Sequence, residues 1–248
     1  MKTKLILIAL LLFVIQASIV AQDEPTDKMN RPPKPKTQEF KAFRIGVFGE
    51  TSISWMKPKM DLSHSVQYQA DGSRLVAGWG LLFDINFTEN YTLSTGFRLG
   101  GTGGKLSYLD SVGTTTATIH RKYELKYVEI PINLKLKTNQ IGYLTYFFQI
   151  GLRPGMRLSA YVDDKFDNSN LPVRYTEFDN KKETAFFQLG FNVGVGAEYQ
   201  ISKSFSAFTS LSYRDGLLDV LSGTSHYDPT LNENAFINQV ALTVGFLF

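Results

Sequence analysis

The sequence predicts an all-β transmembrane barrel, a closed antiparallel cylinder of about eight strands that crosses an outer membrane. Apolar and polar side chains alternate at period two, connections alternate between short and long, and the chain starts with a hydrophobic stretch typical of export. In the last strand Val240, Leu242, Val244, Phe246 and Phe248 share one face, opposite small or polar residues. Such a strand is expected to face lipid on one side and a polar interior on the other.

The first 21 residues are interpreted as a signal peptide. Lys2 and Lys4 form a short basic start, and the apolar core that follows ends at Ile15, which fits the central part of a signal. Small residues then lead to an expected cleavage site near Ala21. The alternative is an uncleaved N-terminal anchor, but the core is short for a transmembrane helix.

Composition excludes several classes of protein. The chain has no cysteine, so we expect neither a disulfide nor a lipid attached to cysteine. Its formal net charge of +3 falls to +1 when Lys2 and Lys4 leave with the signal, and this gives no reason to expect nucleic-acid binding. Mean hydropathy is slightly negative, which is unusual for membrane helices but normal for a barrel with a polar interior.

Residues 22–42 are expected to form a proline-rich periplasmic linker. Pro25, Pro32, Pro33 and Pro35 stand among lysine and arginine residues, and proline favours an extended chain. One interpretation is a plain spacer. The other is a periplasmic tether that contacts the cell wall or a partner, such as a periplasmic or secretion-machinery protein.

Residues 43–248 are assigned to the barrel, because period-two alternation recurs along this whole stretch. The predicted strands are Phe43–Trp55, Arg74–Phe87, Tyr91–Leu99, Val128–Lys137, Leu144–Arg157, Ala185–Tyr199, Phe205–Tyr213 and Phe236–Phe248.

Connection lengths give an independent signal for the same fold. The tight turns are Thr88–Asn90, Thr138–Gln140 and Ser202–Lys203. The long polar connections are Met56–Ser73, Gly101–His120, Asp163–Glu183 and Asp215–Asn234. Short and long connections alternate strictly, which is the asymmetry of outer-membrane barrels, with short periplasmic turns and long extracellular loops.

Two features interrupt the pattern of the fourth predicted strand. The faces switch at Lys126–Val128, which predicts a bulge. Pro131 falls on the inward face, and because proline cannot donate to a ladder it predicts a local break.

The segment Tyr127–Lys137, with the order aromatic, aliphatic, Glu, aliphatic, Pro, aliphatic, resembles the PorT-like family of outer-membrane barrels. Gly151 in a long aromatic strand and the glycines Gly194 and Gly196 before a turn fit the same family. The resemblance extends over about residues 43–248. It implies a barrel without family-wide catalytic residues, and a role for some members in type nine secretion.

The inward positions of the predicted strands carry charged side chains that we expect to pair across the lumen, because an isolated buried charge is costly. The expected lumen charge network is Arg44, Glu50, Arg74, Asp84, Arg98, Glu129, Lys135, Arg153, Arg157 and Glu198. One interpretation is a filled interior in which ion pairs fix the register of the strands. The other is a narrow pathway for anions, since basic residues exceed acidic ones.

No catalytic residue, metal site or cofactor is expected. A rim-located lipid- or peptide-modifying enzyme would draw on His64, His120 and His226, which stand near Asp61, Asp110 and Asp228. A calcium site would draw on Asp163, Asp164, Asp167 and Asp179, which lack the spacing of a calcium loop. The glycine-rich run from Gly100 to Gly104 is interpreted as a loop entrance rather than a phosphate site.

We therefore expect a monomeric, non-enzymatic barrel in the outer membrane of a Gram-negative cell, held by lipid, with a structural, adaptor or secretion-accessory role. A narrow channel or small-ligand transporter, a rim enzyme and a surface adhesin remain the alternatives.

Overall fold

The computed structural model describes the greater part of the predicted barrel. The described residues are 40–58, 69–112, 115–167, 176–179, 184–221 and 234–248. Side chains are described for the same residues except 109–112, 115–117, 166–167 and 176–179. The predicted signal peptide and nearly all of the predicted linker lie outside the described residues. None of the described residues forms a helix long and apolar enough to cross a membrane.

Within these ranges the chain forms ten strands. They are β1 Phe43–Pro58, β2 Gln69–Asn86, β3 Tyr91–Val112, β4 Thr115–Glu129, β5 Ile132–Lys137, β6 Leu144–Asp167, β7 Thr176–Asp179, β8 Phe187–Gln200, β9 Ser206–Gly216 and β10 Ala235–Leu247.

The strands close into a ring in which neighbouring strands are antiparallel. β1 pairs with β2 on one side and with β10 on the other. The ring continues from β2 through β3, the β4 and β5 pair, β6, β8 and β9 back to β10. β7 adds a short edge to the outer part of β6. Closure leaves no open edge in the ring, as a sheet in lipid requires, and the predicted all-β barrel is confirmed.

Pro131 separates β4 from β5, as predicted, and its side chain is buried on the inward face. The ladder keeps one register across the break, since Glu129 lies opposite Gly155 and Ile132 lies opposite Leu152. β4 and β5 are therefore two halves of one wall strand. Counted this way, the ring has the predicted eight strands.

The three tight turns are confirmed, but the strands extend further into the long connections than predicted. β3 and β4 continue as a hairpin through the predicted loop Gly101–His120. β6 runs to Asp167, and β7 lies inside the predicted loop Asp163–Glu183. The connection between β1 and β2 is shortened at both ends relative to Met56–Ser73. The glycine-rich run is part of β3 rather than a loop entrance, and Gly103 takes a left-handed φ of 130° there.

The predicted face switch at Lys126–Val128 is wrong for β4, whose inward side chains stay buried at every second position from Arg121 to Glu129. Instead, the polarity of the inward and outward faces of the barrel wall reverses at the height of Lys126. Towards the long connections, the outward face is charged and the inward face is apolar. Towards the short turns, the outward face is apolar and the inward face is polar. We define the outer wall as the parts of β3, β4 and β6 that lie beyond Lys126 on the long-connection side.

A bulge does lie at this height, on the neighbouring strand. Lys126 is opposite Ser159 and Tyr127 is opposite Arg157, so Leu158 of β6 is the extra residue. The bulge moves the inward face of β6 from odd to even positions. As a result, the part of β6 in the outer wall matches β4 in turning apolar side chains inward.

Three inward glycines each lie directly across from a phenylalanine on the next strand. The pairs are Phe48 with Gly80, Phe147 with Gly196, and Phe208 with Gly245. A Cβ added at any of these glycines would collide with the paired ring and with a backbone carbonyl. The glycines thus make room for aromatic rings that lie flat on the inner wall, an arrangement that stabilises strand pairs.

We predict that Gly245→Ala destabilises the barrel by about 1–3 kcal/mol, because the new methyl overpacks a filled interior. Its Cβ would lie 2.6 Å from Cε1 of Phe208. Gly49→Ala is the matched control: Gly49 lies on the adjacent strand, and its Cβ would meet nothing within 4 Å. Thermal unfolding followed by heat-modifiable gel mobility checks both variants, and equal midpoints would contradict the packing argument.

Candidate functional site

The interior near the short turns holds five charged side chains, which we call the lower charge cluster. Its members are Arg44, Asp84, Lys135, Lys137 and Glu198. Nη2 of Arg44 lies 2.7 Å from Oε2 of Glu198 and 3.5 Å from Oδ2 of Asp84. Nζ of Lys135 lies 3.0 Å from Oδ2 of Asp84, and Nζ of Lys137 lies 3.4 Å from Oε1 of Glu198. Each carboxylate is therefore shared by two cations, as charges buried from water require.

A layer of apolar side chains, the aromatic layer, covers this cluster. It consists of Phe48, Leu82, Phe147, Phe208 and Leu247. The Nζ atom of Lys135 lies 5.3 Å from the centre of the Phe147 ring and 5.6 Å from that of Phe208. The ammonium group is thus held between carboxylate oxygens and ring faces, both of which attract it.

Above the aromatic layer lies the central charge cluster of Glu50, Arg98, Glu129, Arg153 and Arg214. Arg98 joins both carboxylates: its Nε is 2.6 Å from Oε1 of Glu50, and its Nη1 is 3.1 Å from Oε2 of Glu129. Arg214 makes two parallel contacts with Glu50, at 2.8 and 2.5 Å. Arg153 contacts Glu129 through Nε and Nη2. Two-point contacts of this kind are the strongest that arginine makes.

The outer mouth is closed by a second apolar layer, the outer apolar core. Its members are Met56, Leu106, Tyr123, Leu125, Tyr127, Ala160, Val162, Val220, Leu221, Ala235 and Ile237. The segment that holds Val220 follows β9 and is fixed between the starts of β8 and β10 by backbone hydrogen bonds to Ala185 and Ala235, of 2.7 and 2.9 Å. Between this core and the central charge cluster lies a cavity of about 20 Å³, room for about one water.

One ion pair lies within the apolar part of the interior. Nε and Nη2 of Arg121 contact the two carboxylate oxygens of Asp164 at 2.7 and 2.8 Å, and both side chains are fully buried. The guanidinium lies 5.7 Å from the centre of the Tyr108 ring. The carboxylate of Asp164 is therefore bound by Arg121, whereas Asp163 points outward. These two candidate calcium ligands thus lie on opposite faces of the wall. The side chains of Asp167 and Asp179 lie outside the description.

Eight residues of the expected lumen network belong to the two charge clusters: Arg44, Glu50, Asp84, Arg98, Glu129, Lys135, Arg153 and Glu198. Arg74 and Arg157 do not join them. Arg74 donates to the carbonyl oxygens of Thr102 and Tyr123 and contacts Glu124 on the outer wall. Arg157 donates to the carbonyl and hydroxyl oxygens of Thr184.

Sequence reasoning missed Arg214, which contacts Glu50 across the lumen. The predicted seventh strand ended at Tyr213, one residue too early. Ser206, Ser210 and Ser212 are buried at alternating positions, and extending that period by two residues would have placed Arg214 inside. Lys137 was expected to point inward but was not included in the network.

Of the histidines proposed for a rim enzyme, the structure describes His120. Its Nδ1 lies 2.6 Å from Oδ2 of Asp71, on the outward side of the rim, where both side chains are about one third exposed. Among the described residues, no hydroxyl group is hydrogen-bonded to this ring. His64, His226, Asp61 and Asp228 lie outside the described residues, as does the side chain of Asp110.

The closed ring, its apolar outward face and its charged interior define the class of transmembrane β-barrels. The chain belongs to the family described as outer membrane protein beta-barrel domain, whose model matches residues 20–222. The predicted outer-membrane location is thereby confirmed. In this class the short turns face the periplasm, so the lower charge cluster lies at the periplasmic end and the outer wall at the cell surface.

Solved structures of several outer-membrane proteins are similar to this chain. Ail, the attachment invasion locus protein of Yersinia pestis, is 14% identical over 84% of this chain and 100% of that one, with a TM-score of 0.35. OprG of Pseudomonas aeruginosa is 13% identical over 86% and 97%, with a TM-score of 0.41. The outer membrane protease OmpT of Escherichia coli is 10% identical over 83% and 96%, with a TM-score of 0.36. A comparison with curated proteins gives no match.

We predict that Glu50→Gln lowers the free energy of unfolding by about 3–5 kcal/mol, because Arg98 and Arg214 lose the charge that both contact. Glutamine keeps the shape of the side chain, so the change isolates the charge. Glu89→Gln on an exposed short turn is the matched control, with an expected change below about 0.5 kcal/mol. Urea unfolding in lipid vesicles, followed by tryptophan fluorescence, measures both. Equal midpoints for the two variants would show that the central charge cluster does not stabilise the barrel.

Proposed function

We propose that the protein is a non-conducting, non-enzymatic outer-membrane barrel that serves as a structural, adaptor or secretion-accessory component. The observation that carries this proposal is the filled interior. Two charge clusters and two apolar layers succeed one another between the periplasmic and outer ends. A solute crossing the barrel would have to separate buried ion pairs, each of which costs several kcal/mol to break.

The periplasmic end supports an adaptor role, because the chain enters the barrel there. The backbone carbonyls of Lys41 and Ala42 accept hydrogen bonds from Asn86, at 2.6 and 2.8 Å. These bonds tie the end of the predicted linker to the first short turn. A depression of about 280 Å³ opens beside them, with Phe40 and Glu89 in its lining. A partner that bound the linker would meet this polar mouth next.

A secretion-accessory role is the finer part of the proposal, and it rests on the PorT-like resemblance of Tyr127–Lys137. The same segment has a structural explanation in this barrel. Glu129 belongs to the central charge cluster, Pro131 breaks the ladder, and Lys135 belongs to the lower charge cluster. The motif therefore organises the filled interior, and the interaction with a partner is assigned to the ends of the barrel.

We predict no steady conductance when the purified protein is inserted into a planar lipid bilayer, because two charge clusters and two apolar layers occupy the interior. A channel would show discrete current steps, and Gly151→Leu would abolish them, since a side chain at Gly151 points at Asn133 inside the barrel. Conductance lost in that variant would overturn the non-conducting part of the proposal. A porin recorded in the same bilayer serves as the positive control.

We predict that deleting residues 22–38 leaves the barrel folded and removes the proteins that cross-link to it in intact cells. The bonds from Asn86 to residues 41 and 42 stay in place in this variant. The control is a variant in which residues 22–38 are replaced by a segment of the same composition in shuffled order. This segment has the same length but lacks the sequence that a partner would recognise. Unchanged cross-links in the deletion variant would show that residues 22–38 are a plain spacer.

A further inference from the structure

The outward face of the outer wall is basic, beginning with Lys126 at the edge of the apolar belt. Lys105 on β3, Lys126 on β4 and Lys165 on β6 all point outward and are exposed. Each lysine is next in sequence to a buried residue whose side chain points inward. Because side chains alternate along a strand, the lysine side chain points outward. The strands are adjacent in the ring, and Lys105 lies opposite Lys122 while Lys165 lies opposite His120. The lysines therefore share one continuous face.

This face is concave. A depression of about 450 Å³ is lined by Asp71, Lys105, His120, Arg121, Lys122, Asp163 and Lys165. Lys105, Lys122 and Lys165 outnumber Asp71 and Asp163 there, and four strands, β2, β3, β4 and β6, contribute to its lining. Arg121 itself points inward to Asp164.

The acidic groups on this face are already occupied. Asp71 contacts His120 at 2.6 Å. Glu124 contacts Lys122 at 2.5 Å and Arg74 at 2.9 Å. The hydrogen bond with Lys122, aided by the charge of Arg74, holds the pKa of Glu124 below its ordinary value.

Asp163 lies 3.7 Å from Lys122, and Glu124 also experiences the charge of Lys126. Lys105, Lys126 and Lys165 have no ion-pair partner among the described residues. Three ammonium groups are therefore available to an external anion.

The height of these lysines indicates which anion they meet. Beneath Lys126 the outward side chains become apolar, and Ile130, Met156 and Leu158 are each about half exposed. An apolar shelf directly below a basic face matches an amphiphile that places its acyl chains on the shelf and its charged groups above. Because this end of the barrel faces the cell surface, the amphiphile belongs to the outer leaflet.

We propose that the basic face of the outer wall binds the phosphate groups of outer-leaflet glycolipid. Each lysine or arginine near an anionic membrane surface adds to the attraction, so several together hold a lipid against one side of the barrel. This binding is independent of the adaptor role proposed above. It gives the barrel a preferred lipid neighbour on the side of β3, β4 and β6.

The test compares two charge-reversal variants of the full mature chain folded in detergent. The face variant carries Lys126→Glu and Lys165→Glu. The control carries Lys41→Glu and Lys203→Glu, which change the net charge equally at the periplasmic end. Titration with fluorescently labelled lipopolysaccharide should show at least about tenfold weaker binding for the face variant and unchanged binding for the control. A Lys126→Arg, Lys165→Arg variant should bind as the unmodified protein does, which separates charge from folding.

Two further arms identify the ligand. Dephosphorylated lipopolysaccharide should bind as weakly to the unmodified protein as the intact lipid does to the face variant. Inorganic phosphate should compete poorly, because it lacks the acyl chains that rest on the apolar shelf. Equal binding by the face and control variants, or equal binding of the dephosphorylated lipid, would overturn the proposal. Efficient competition by inorganic phosphate alone would replace the lipid with a soluble anion and overturn the assignment to glycolipid.

Discussion

The contact of Glu50 with Arg98 and Arg214 shows the constraint on which the barrel depends: a charge inside a cylinder surrounded by hydrocarbon must find its partner across the lumen. Glu50 lies on β1, whereas its two arginines lie on β3 and β9, neither of which is a direct neighbour of β1 in the ring. Such a pair forms only when closure and register are both correct. The central charge cluster therefore selects one arrangement of the strands, in addition to whatever it contributes to stability.

The charged side chains alone do not fill the interior of this barrel. Apolar layers between and above the charge clusters fill the remaining space. The aromatic layer fits because Gly80, Gly196 and Gly245 leave room for the rings that lie across from them. Two of those rings, Phe147 and Phe208, also meet Lys135 of the lower charge cluster, so the two kinds of layer are in contact. A filled interior of this kind supports the proposal that solutes do not cross the barrel, and this is why we assign the activity of the protein to its ends.

The sequence predicted the closed barrel, its tight turns and eight of the ten network residues, because period-two alternation reports which side of a strand faces lipid. The prediction of strands failed where the polarity of the inward and outward faces reverses. Beyond Lys126, apolar side chains point inward and charged ones outward, so the sequence predicts a loop, Gly101–His120, where the outer ends of β3 and β4 lie. The sequence also could not predict which charges pair across the lumen, because only closure of the ring decides which inward charges meet. Arg74 and Arg157, for example, point to backbone and hydroxyl oxygens.

The change of surroundings at Lys126 also makes the barrel one-sided. β3 and β6 have 22 and 24 residues, whereas β9 and β10 have 11 and 13, so among the described residues the wall rises higher above the membrane on the flank of β3 and β6. Above the membrane that flank follows the rule of a soluble protein, with apolar side chains inside and charged ones outside. The same strands thus turn apolar side chains outward within the membrane and inward above it. Leu158 is the extra residue of β6 at the height where this reversal occurs. An outward charged face next to lipid arises on this flank as a direct consequence.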